Sequence, residues 1–332
     1  MAVNYSGRQF SVTIGVQDQS AQAIGSSTVT NIANLNMRLS PPVSDISWDG
    51  GMQVSEVRRT GRRMMEAGDR VQQYGSGEWT WDFDYLVENE AVSQVLFKNI
   101  ANGQACTSAT TIDQTTMAAP DLSHDKGGTT DYLTNIIINH PSANFDRVMH
   151  NAVLQSLTWS MDADVDGGRM HMAGQFMSGY KPVIAADSTS PATTAADKAY
   201  NIFSDCTTTT IGGDAVVMKA WEITLENPAS RVSYQGTSGE TDGYVRGGNV
   251  NLTGSVTVKV DTVTAALAAD WHGNAPQAIV IGNGGICNFT IPAAQLSGYN
   301  ADWADEGAFV EIPFVGTTGA AGVSELAVIH VS

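Results

Sequence analysis

Alternation between polar and apolar residues, with a period of two, most constrains what this chain can fold into. It is clearest at residues 80–85 (TWDFDY) and 256–261 (VTVKVD), where aromatic residues or valines occupy every second position. Successive side chains of a β-strand point to opposite sides of a sheet, so this pattern predicts strands with one buried and one solvated face. The two acids in the first segment are expected on the solvated face.

The same reading predicts four further strands, most of them separated by glycine-containing turns, at residues 154–161, 170–177, 220–226 and 309–315. Helical periodicity is sparse. Residues 88–100 place four apolar residues on one face of a helix: Val92, Val95, Leu96 and Ile100. Residues 262–271 are a second, shorter helix candidate. The predicted class is therefore mainly β with short helices.

The order of these elements predicts an internal duplication. Both candidate helices follow an alternating strand, and both strands follow a glycine-rich turn, at residues 75–77 and 247–248. Residues 46–48 (ISW) and 221–223 (WEI) open the two copies. Any β-rich chain shows some strand–turn similarity, but here the order of several features is kept, which favours a duplication of pattern.

Composition predicts the domain boundaries. Residues 41–180 and 211–332 are expected to form two tandem β domains, each with a short flanking helix. Residues 181–210, rich in Ala, Ser, Thr and Asp, are typical of a linker. A second polar stretch, residues 104–130, interrupts the first domain as an insertion. Residues 1–40 form an N-terminal arm with a strand-like segment that could pair with a neighbouring molecule.

The charge balance excludes two classes of partner. The chain has 34 acidic residues against 17 lysines and arginines, a net charge of -17. Proteins that hold duplex DNA or anionic lipid need a basic face, so neither role is expected. No apolar run is long enough to predict a transmembrane helix, and no secretory signal is visible. Only 15% of residues are charged, so much of the surface is expected to be small and polar or buried against other subunits.

Residues typical of catalysis or cofactor binding are sparse. Cys106, Cys206 and Cys287 are odd in number and scattered, which predicts no disulfide framework and favours a reducing compartment. There is no histidine pair at metal-ligand spacing, nucleophile elbow, P-loop or dinucleotide fingerprint. We therefore expect no cofactor and no enzyme. The enzyme alternative, a carboxylate pair at Asp82 and Asp84, is less favoured because the neighbouring aromatics indicate a core strand.

One acidic string resembles a metal-binding loop. Residues 162–167 (DADVDG) copy the first half of an EF-hand, with carboxylates at alternate positions. Position twelve of such a loop would be Ala173 instead of an acid, and the flanks are predicted strands instead of helices. An acidic hairpin turn is the favoured interpretation. Cation binding by Asp162, Asp164 and Asp166 is left open.

A basic cluster stands out in this acidic chain. Five of the 17 cations fall within thirteen positions: Arg58, Arg59, Arg62, Arg63 and Arg70. A nucleic-acid site would need interleaved aromatics and more cations elsewhere. A solvated loop is also possible. We favour a subunit interface, in which arginine forks pair with carboxylates of a neighbouring copy.

Two segments then suggest a family. Residues 151–161 (NAVLQSLTWSM), an acidic turn, and residues 168–177 (GRMHMAGQFM) resemble the strand pair that closes the tube domain of bacteriophage major tail tube proteins. Matching elements of the second half lie at residues 220–227, 248–260 and 289–292. The resemblance extends over most of the chain after the N-terminal arm and rests on patterns of small and apolar residues. The polar insertion in the first half departs from it.

The resemblance implies a structural virion protein made in the host bacterial cytoplasm. Such subunits carry a β-sandwich or barrel with a helix and form stacked rings around a hollow channel. Two tandem copies imply trimeric rings with pseudo-sixfold symmetry. An acidic lining suits passage of phage DNA without specific binding, since like charges repel.

Implied partners are other copies of the chain, a tape-measure protein, tail completion and baseplate proteins, and a sheath protein only if the tail contracts. No membrane is expected. The alternatives are another β-rich virion component, such as a tail terminator, baseplate ring or decoration protein, or an immunoglobulin-like binding module.

Overall fold

The computed structural model describes residues 11–16, 35–37, 39, 45–47, 53–56, 70–73, 77–117, 121–123, 133–139, 146–185, 199–232, 241, 243–282, 287–302, 308–318 and 325–331. Within these ranges the chain forms 22 β-strands and three short helices. The strands form mainly antiparallel sheets. The predicted fold class, mainly β with the character of a β-sandwich, is confirmed.

The strands are β1 (Ser11–Val16), β2 (Leu35–Met37), β3 (Gln53–Glu56), β4 (Arg70–Gln73), β5 (Trp79–Leu86), β6 (Thr110–Asp113), β7 (Asp121–Ser123), β8 (Thr134–Asn139), β9 (Asp146–Asp162), β10 (His171–Ser178), β11 (Val183–Ala185), β12 (Thr210–Ile211), β13 (Asp214–Ala215), β14 (Met218–Glu226), β15 (Ser230–Val232), β16 (Gly243–Val245), β17 (Asn251–Lys259), β18 (Gln277–Gly282), β19 (Cys287–Leu296), β20 (Asn300–Asp302), β21 (Phe309–Gly316) and β22 (Glu325–Val331). The helices are α1 (Glu90–Ile100), α2 (Ile202–Asp205) and α3 (Thr262–Gly273). The six strands predicted from alternation are β5, β9, β10, β14, β17 and β21, and the two predicted helices are α1 and α3, so these predictions are confirmed.

Those six strands form one antiparallel sheet, which we call the central sheet, in the order β5-β10-β9-β14-β17-β21. Its first three strands precede residues 181–210 and its last three follow them. The join is the pairing of β9 with β14, in which Trp159 lies opposite Ile223. Two halves of the chain therefore share one continuous sheet.

The core lies between the central sheet, α1 and a second sheet. The second sheet contains β13, β12, β18, β19, β22 and β6. Phe97 of α1 contacts Trp159 of β9, with ring centroids 6.1 Å apart. Phe289 of β19 contacts both Trp159 (5.6 Å) and Trp221 of β14 (5.0 Å). This chain of buried aromatic rings joins the three layers, and each ring removes a large apolar area from water.

The helices α1 and α3 differ in how deeply they pack. Asn89 caps α1 by accepting a hydrogen bond from the amide of Val92, and eight of its eleven residues are buried. Asp261 caps α3 in a reciprocal pair with Thr264, and two of its twelve residues are buried. Hydrogen bonds from the backbone of Thr264 hold the pKa of Asp261 below its usual value. The chain therefore covers α1 and leaves half of the residues of α3 exposed.

The structure describes part of the predicted N-terminal arm. Residues 11–16, for which pairing with a neighbouring molecule was one expectation, form β1 between β8 and β2 of the same chain. Val12 and Ile14 are buried. Alternating apolar residues need a covered face, and here Val12 and Ile14 belong to the hydrophobic core of the same chain.

The polar stretch at residues 104–130 also contributes strands. β6 pairs with β22 at the end of the chain, and β7 pairs with β16. Cys106 and Ile112 are buried in the core. The polar composition of the stretch concealed these short strands, each of which depends on a distant partner for its hydrogen bonds.

A buried polar junction ties α1 to the second half of the chain. The guanidinium of Arg246 donates to the backbone carbonyls of Asn227, Asn99 (3.0 Å) and Leu154 (3.1 Å). The side chain of Asn99 donates to Thr134 and accepts from the amide of Leu154 (2.7 Å). The bond to Asn99 satisfies a carbonyl at the C-terminal end of α1, where a positive charge is also favoured by the helix dipole.

Candidate functional site

The solvated face of the central sheet is the candidate functional surface. At alternate positions its six strands carry mostly hydroxyl, amide and carboxylate side chains, all of them exposed or half-buried. Short residues fill the middle of this face, and Thr158 of β9 and Thr224 of β14 hydrogen-bond across the join between the two halves (Oγ1–Oγ1 2.8 Å). We call this surface the polar face.

The polar face carries a strong negative charge. Its alternate positions hold six carboxylates, Asp82, Asp84, Asp162, Glu222, Glu226 and Glu311, whereas Lys259 is the one lysine or arginine at these positions. Carboxylates lie on strands of both halves. Charges of one sign spread over a sheet produce a field that repels anions such as nucleic-acid phosphates.

An open concavity of about 420 Å³ lies on this face. Its lining includes Asp84, Thr158, Asp162, His171, Glu222 and Thr257, which belong to five of the six strands. This concavity therefore lies across the join of the two halves.

The acidic string at residues 162–167 forms the turn between β9 and β10. Asp166 and the two glycines after it have positive φ angles of 46°, 70° and 79°, a sequence of left-handed residues that reverses the chain. The preferred interpretation as a hairpin turn is confirmed. Its carboxylates have separate partners: Asp162 Oδ1 accepts from the amide of Asp164 (2.9 Å), and Asp164 pairs with Lys219 (2.7 Å).

His171 links this turn to the edge of the sheet. Its Nδ1 lies 2.9 Å from Asp84 of β5, and its Nε2 lies 3.1 Å from Asp166 of the turn. Arg169 pairs with Glu88 (3.1 Å) just after β5. These pairs fix the orientation of the β9–β10 turn against β5. Within the described ranges, no three histidine, cysteine, aspartate or glutamate side chains gather as ligands for a metal ion.

The two acids of the enzyme alternative lie on the polar face with separate cross-strand partners. Asp82 accepts a hydrogen bond from Gln175 of β10 (2.8 Å), and Asp84 contacts His171. The aromatic residues between them are buried in the core. Each carboxylate is thus held by the neighbouring strand, as expected for a structural sheet surface.

The predicted arginine interface falls largely outside the described residues. Arg58, Arg59, Arg62 and Arg63 lie in the part of the chain between β3 and β4 that the structure does not describe, whereas Arg70 begins β4. Strands β3 and β4 pair with each other, with Glu56 opposite Arg70. The interface stays a prediction.

Sequence reasoning did not identify the polar face as one surface. The alternation on β14, β17 and β21 already indicated which residues point away from the core. The pairing of β9 with β14, which places Glu222 and Glu226 beside Ser160 and Ser156, joins strands from the two halves and has no local signal.

The comparisons with known proteins bear on this surface. No curated protein matches the chain. Among the described residues, none of the helices has the length and apolar run needed to cross a bilayer. The family model of the phage tail tube proteins matches residues 10–321 of the chain. That match covers nearly the whole sequence and both halves of the central sheet, and its family is one of structural proteins of the phage tail; the chain belongs to the phage tail tube protein family.

Proposed function

We propose that this chain is the major subunit of a phage tail tube, and that copies close into stacked rings with the polar face lining the channel. The observation that carries the proposal is the central sheet itself. Its solvated face runs across both halves of the chain, holds an open concavity at their join, and carries six carboxylates and many short polar side chains. This surface is suited to be the inner wall of a tube.

Ring closure would complete both edges of the central sheet. Among the described residues, β5 is met on its outer side by Leu39 and Ser47, and β21 by β20 and the end of β19. Each of these segments is short, and neighbouring copies in a ring would continue the sheet from the long strands of one chain to those of the next. Closing the sheet into a barrel leaves no free edge.

The charge of the polar face suits the passage of DNA. A duplex carries one negative charge per ~1.7 Å of its axis, so a wall of carboxylates repels it. Screening at physiological salt limits the repulsion to about 8 Å, so it acts where the duplex approaches the wall. The channel thereby guides the genome without binding it.

Two features support duplication of a tube unit within the chain. β5 leads into α1 and pairs with β10, and β17 leads into α3 and pairs with β21. In each unit a phenylalanine ring covers a glycine on the neighbouring strand. Phe83 lies over Gly174, and Phe314 lies over Gly254, with ring atoms 3.1 Å and 2.6 Å from the position a Cβ would take. In the first unit the phenylalanine lies on the strand before the helix and the glycine on its partner strand, and in the second unit the two residues are exchanged.

Strand number connects this duplication to ring size. Each chain contributes six long strands, or about eight with the flanking segments. At ~4.8 Å between strands and a tilt of about 40°, three chains would enclose a barrel roughly 35 to 50 Å across between backbones. Six chains would enclose one of roughly 70 to 95 Å under the same geometry. We propose the trimeric ring with pseudo-sixfold symmetry.

The remaining contacts follow from this assembly. The four arginines between β3 and β4 would pair with carboxylates of a neighbouring copy, which offsets part of the repulsion between chains of net charge -17. The proposed location is the tail of the virion. The proposed partners are other copies, a tape-measure protein inside the channel and tail completion or baseplate proteins at the ends.

Electron microscopy of the purified chain tests the proposal. We expect hollow tubes with a backbone channel of roughly 35 to 50 Å, as three chains per ring require. A single closed ring would indicate a terminator or baseplate component, and a monomer would indicate a binding module. Either result would contradict the tube assignment.

Two variants test the arginine interface in the same assay. Replacing Arg58, Arg59, Arg62 and Arg63 together by glutamate should leave a folded monomer that does not polymerise. The matched control changes the same four residues to lysine, which keeps the charge and removes the planar fork. Tube formation by the glutamate variant would contradict the assignment of these arginines to the subunit interface.

A further inference from the structure

The large apolar side chains that face solvent are concentrated at the two ends of the central sheet. Among the described residues, six such side chains are exposed: Val165, Ile184, Phe203, Val217, Val245 and Val315. Exposed apolar residues are normal on a soluble protein when they are scattered singly over its surface. These six are not scattered, because three lie at one end of the sheet and three at the other.

The first end, which we call the turn end, consists of the β9–β10 turn, α2 and the start of β14. Val165 lies in the turn itself. Val217 comes just before β14, and its carbonyl accepts a hydrogen bond from the amide of Lys259 at the end of β17 (2.8 Å). Because β14 pairs antiparallel with both β9 and β17, these positions lie at the same end of the sheet.

The most exposed of the six side chains belongs to α2. This helix is fixed against the β9–β10 turn, since the amide of Ile202 donates to the carbonyl of Gly168 (2.8 Å) and the side chain of Asn201 donates to that of Gly167 (2.6 Å). Ile202 is 5% exposed, whereas Phe203 is 67% exposed. An aromatic ring presented at the surface from a fixed backbone is typical of an anchor residue in a protein interface.

The acids beside Phe203 have partners within their own chain. Asp164 pairs with Nζ of Lys219 (2.7 Å), and Asp166 lies 3.1 Å from Nε2 of His171. A carboxylate that is buried without a partner is costly, so an interface that covers the turn end would otherwise have to supply cations. With these pairs in place, an uncharged surface can cover the turn end.

The opposite end, which we call the far end, carries the other three side chains. Val315 lies near the end of β21. Val245 ends β16, which pairs with β15, the strand that follows β14. Ile184 lies in β11, which pairs with the first residues of β9, beyond the part of β9 that pairs with β10. The central strands therefore have exposed apolar residues near both of their ends.

The far end also contains a second open concavity, of about 620 Å³. It lies between the start of β17 and the end of β21, and its lining includes Met117, Val250 and Leu326 together with polar residues. Gly316, the neighbour of Val315, is part of the same lining. The far end thus offers a recess that can receive a protruding side chain.

We propose that the turn end of one copy docks on the far end of the next, with Phe203 seated in the far-end concavity of a second copy of this chain. This inference rests on the proposed function, since it assigns the contact between stacked rings to particular surfaces. The strands of a channel wall run obliquely along the channel, so the turn end and the far end face opposite directions along it.

The presence of apolar residues at both ends favours a second copy as the partner. A contact between two different surfaces of the same molecule can repeat without closing, and such a contact builds a filament. Each copy would then use its turn end towards one neighbour and its far end towards the other. A different protein bound at one end would account for only three of the six exposed side chains.

A substitution at the turn end tests the contact by electron microscopy of the full-length protein. We expect Phe203→Asp to form single rings and to lose stacking, because it places a charge in the contact. The matched control Phe203→Leu keeps an apolar side chain and should form tubes like the parent. Denaturant titration should give both variants the stability of the parent. Tubes from Phe203→Asp, or a Phe203→Asp variant that is unfolded or monomeric, would overturn the proposal.

A second substitution tests the direction of the contact. Val315→Asp places a charge beside the far-end concavity and should also give single rings. When rings of Phe203→Asp and Val315→Asp are mixed, we expect stacks of two rings, because the intact far end of one meets the intact turn end of the other. Paired rings from either variant alone would mean that like ends meet, and a mixture that stays single would remove the pairing of these two surfaces; both results would overturn the proposal.

The parent chain separates this inference from the proposed function. A parent that forms neither rings nor tubes contradicts the proposed function, and the docking surface with it. If the parent forms tubes and Phe203→Asp forms them equally well, the docking surface alone is contradicted.

Discussion

The two faces of the central sheet share one backbone but differ in the size, polarity and burial of their side chains. On β14, Trp221, Ile223 and Leu225 are buried, and the alternate residues Glu222 and Glu226 are exposed. One face contacts α1 and the second sheet through large apolar side chains. The other carries short polar groups and carboxylates that make few contacts within the chain. We infer that folding depends on the first face and that function uses the second.

The largest expected effect comes from breaking the buried face. Trp159→Ala removes the ring that joins Phe97 of α1 to Phe289 of the second sheet. Loss of a large buried aromatic side chain should lower the free energy of unfolding by about 3 to 5 kcal/mol, measured by denaturant titration. The control is Thr158→Ala, one residue earlier and on the polar face. A similar loss for both variants would contradict the division between faces.

Acid should destabilise the protein through a buried histidine. His150, near the start of β9, is 3% exposed, and its ring stacks on Tyr180 (5.5 Å). Burial lowers the pKa of His150 from 6.5 to about 4, so the folded state favours the neutral ring. Because the unfolded chain binds this proton more readily, the contribution is fully present above pH 6.5 and is lost as the pH falls towards 4. Its size is about 3 kcal/mol.

His150→Phe measures this contribution. The variant keeps an aromatic ring beside Tyr180 and cannot be protonated. Its unfolding free energy should therefore fall less than that of the parent between pH 6.5 and pH 4. An unchanged slope would assign the acid sensitivity to other groups, including the carboxylates of the polar face.

Adding a single methyl group should cost more stability on the buried face of the sheet than a small change costs on the polar face. Gly254 of β17 points into the core, where an added Cβ would meet the carbonyl of Glu222 and come 2.6 Å from the ring of Phe314. Gly254→Ala should cost about 1 to 3 kcal/mol of stability through overpacking. The neighbouring change Ser255→Ala, on the polar face, should cost much less. Chemical denaturation measures the free energy of unfolding of both variants. A larger loss for Ser255→Ala than for Gly254→Ala would contradict the division between the faces.

The smallest effect on folding is expected for the carboxylates themselves. Glu222→Gln and Glu226→Gln together remove two negative charges from exposed positions. The free energy of unfolding should change by no more than ~0.5 kcal/mol, as is usual for surface substitutions. A loss of more than that would show that the polar face supports the fold.

The sequence predicted the long strands and both main helices because each carries its own signal. Strict alternation in β5 and β17 and the apolar stripe of α1 are visible within a dozen residues. The short strands β6 and β12 were not predicted, since each is stable only through pairing with a distant strand. The burial of Arg246 could not be predicted from the sequence, because its partners are backbone carbonyls, which every residue has.

The polar face was predictable strand by strand and not as a surface. The alternation assigned acids such as Asp82 to the solvated side correctly. That Asp82 and Glu226 belong to one face depends on the order of strands. This order depends on pairings between distant segments, such as that of Trp79 with Ser178. Such pairings are decided by the packing of the whole core.

The most direct test is to label the polar face inside assembled tubes. The three native cysteines are buried, so Thr224→Cys supplies one accessible thiol in the middle of the polar face. Asp214→Cys, on exposed β13, is the matched control. The probe is a gold particle that is wider than the channel and carries a maleimide. Our account predicts that it labels Thr224→Cys in dissociated protein but not in tubes. In tubes it should label Asp214→Cys more than Thr224→Cys. Equal labelling of Thr224→Cys in both states would contradict it.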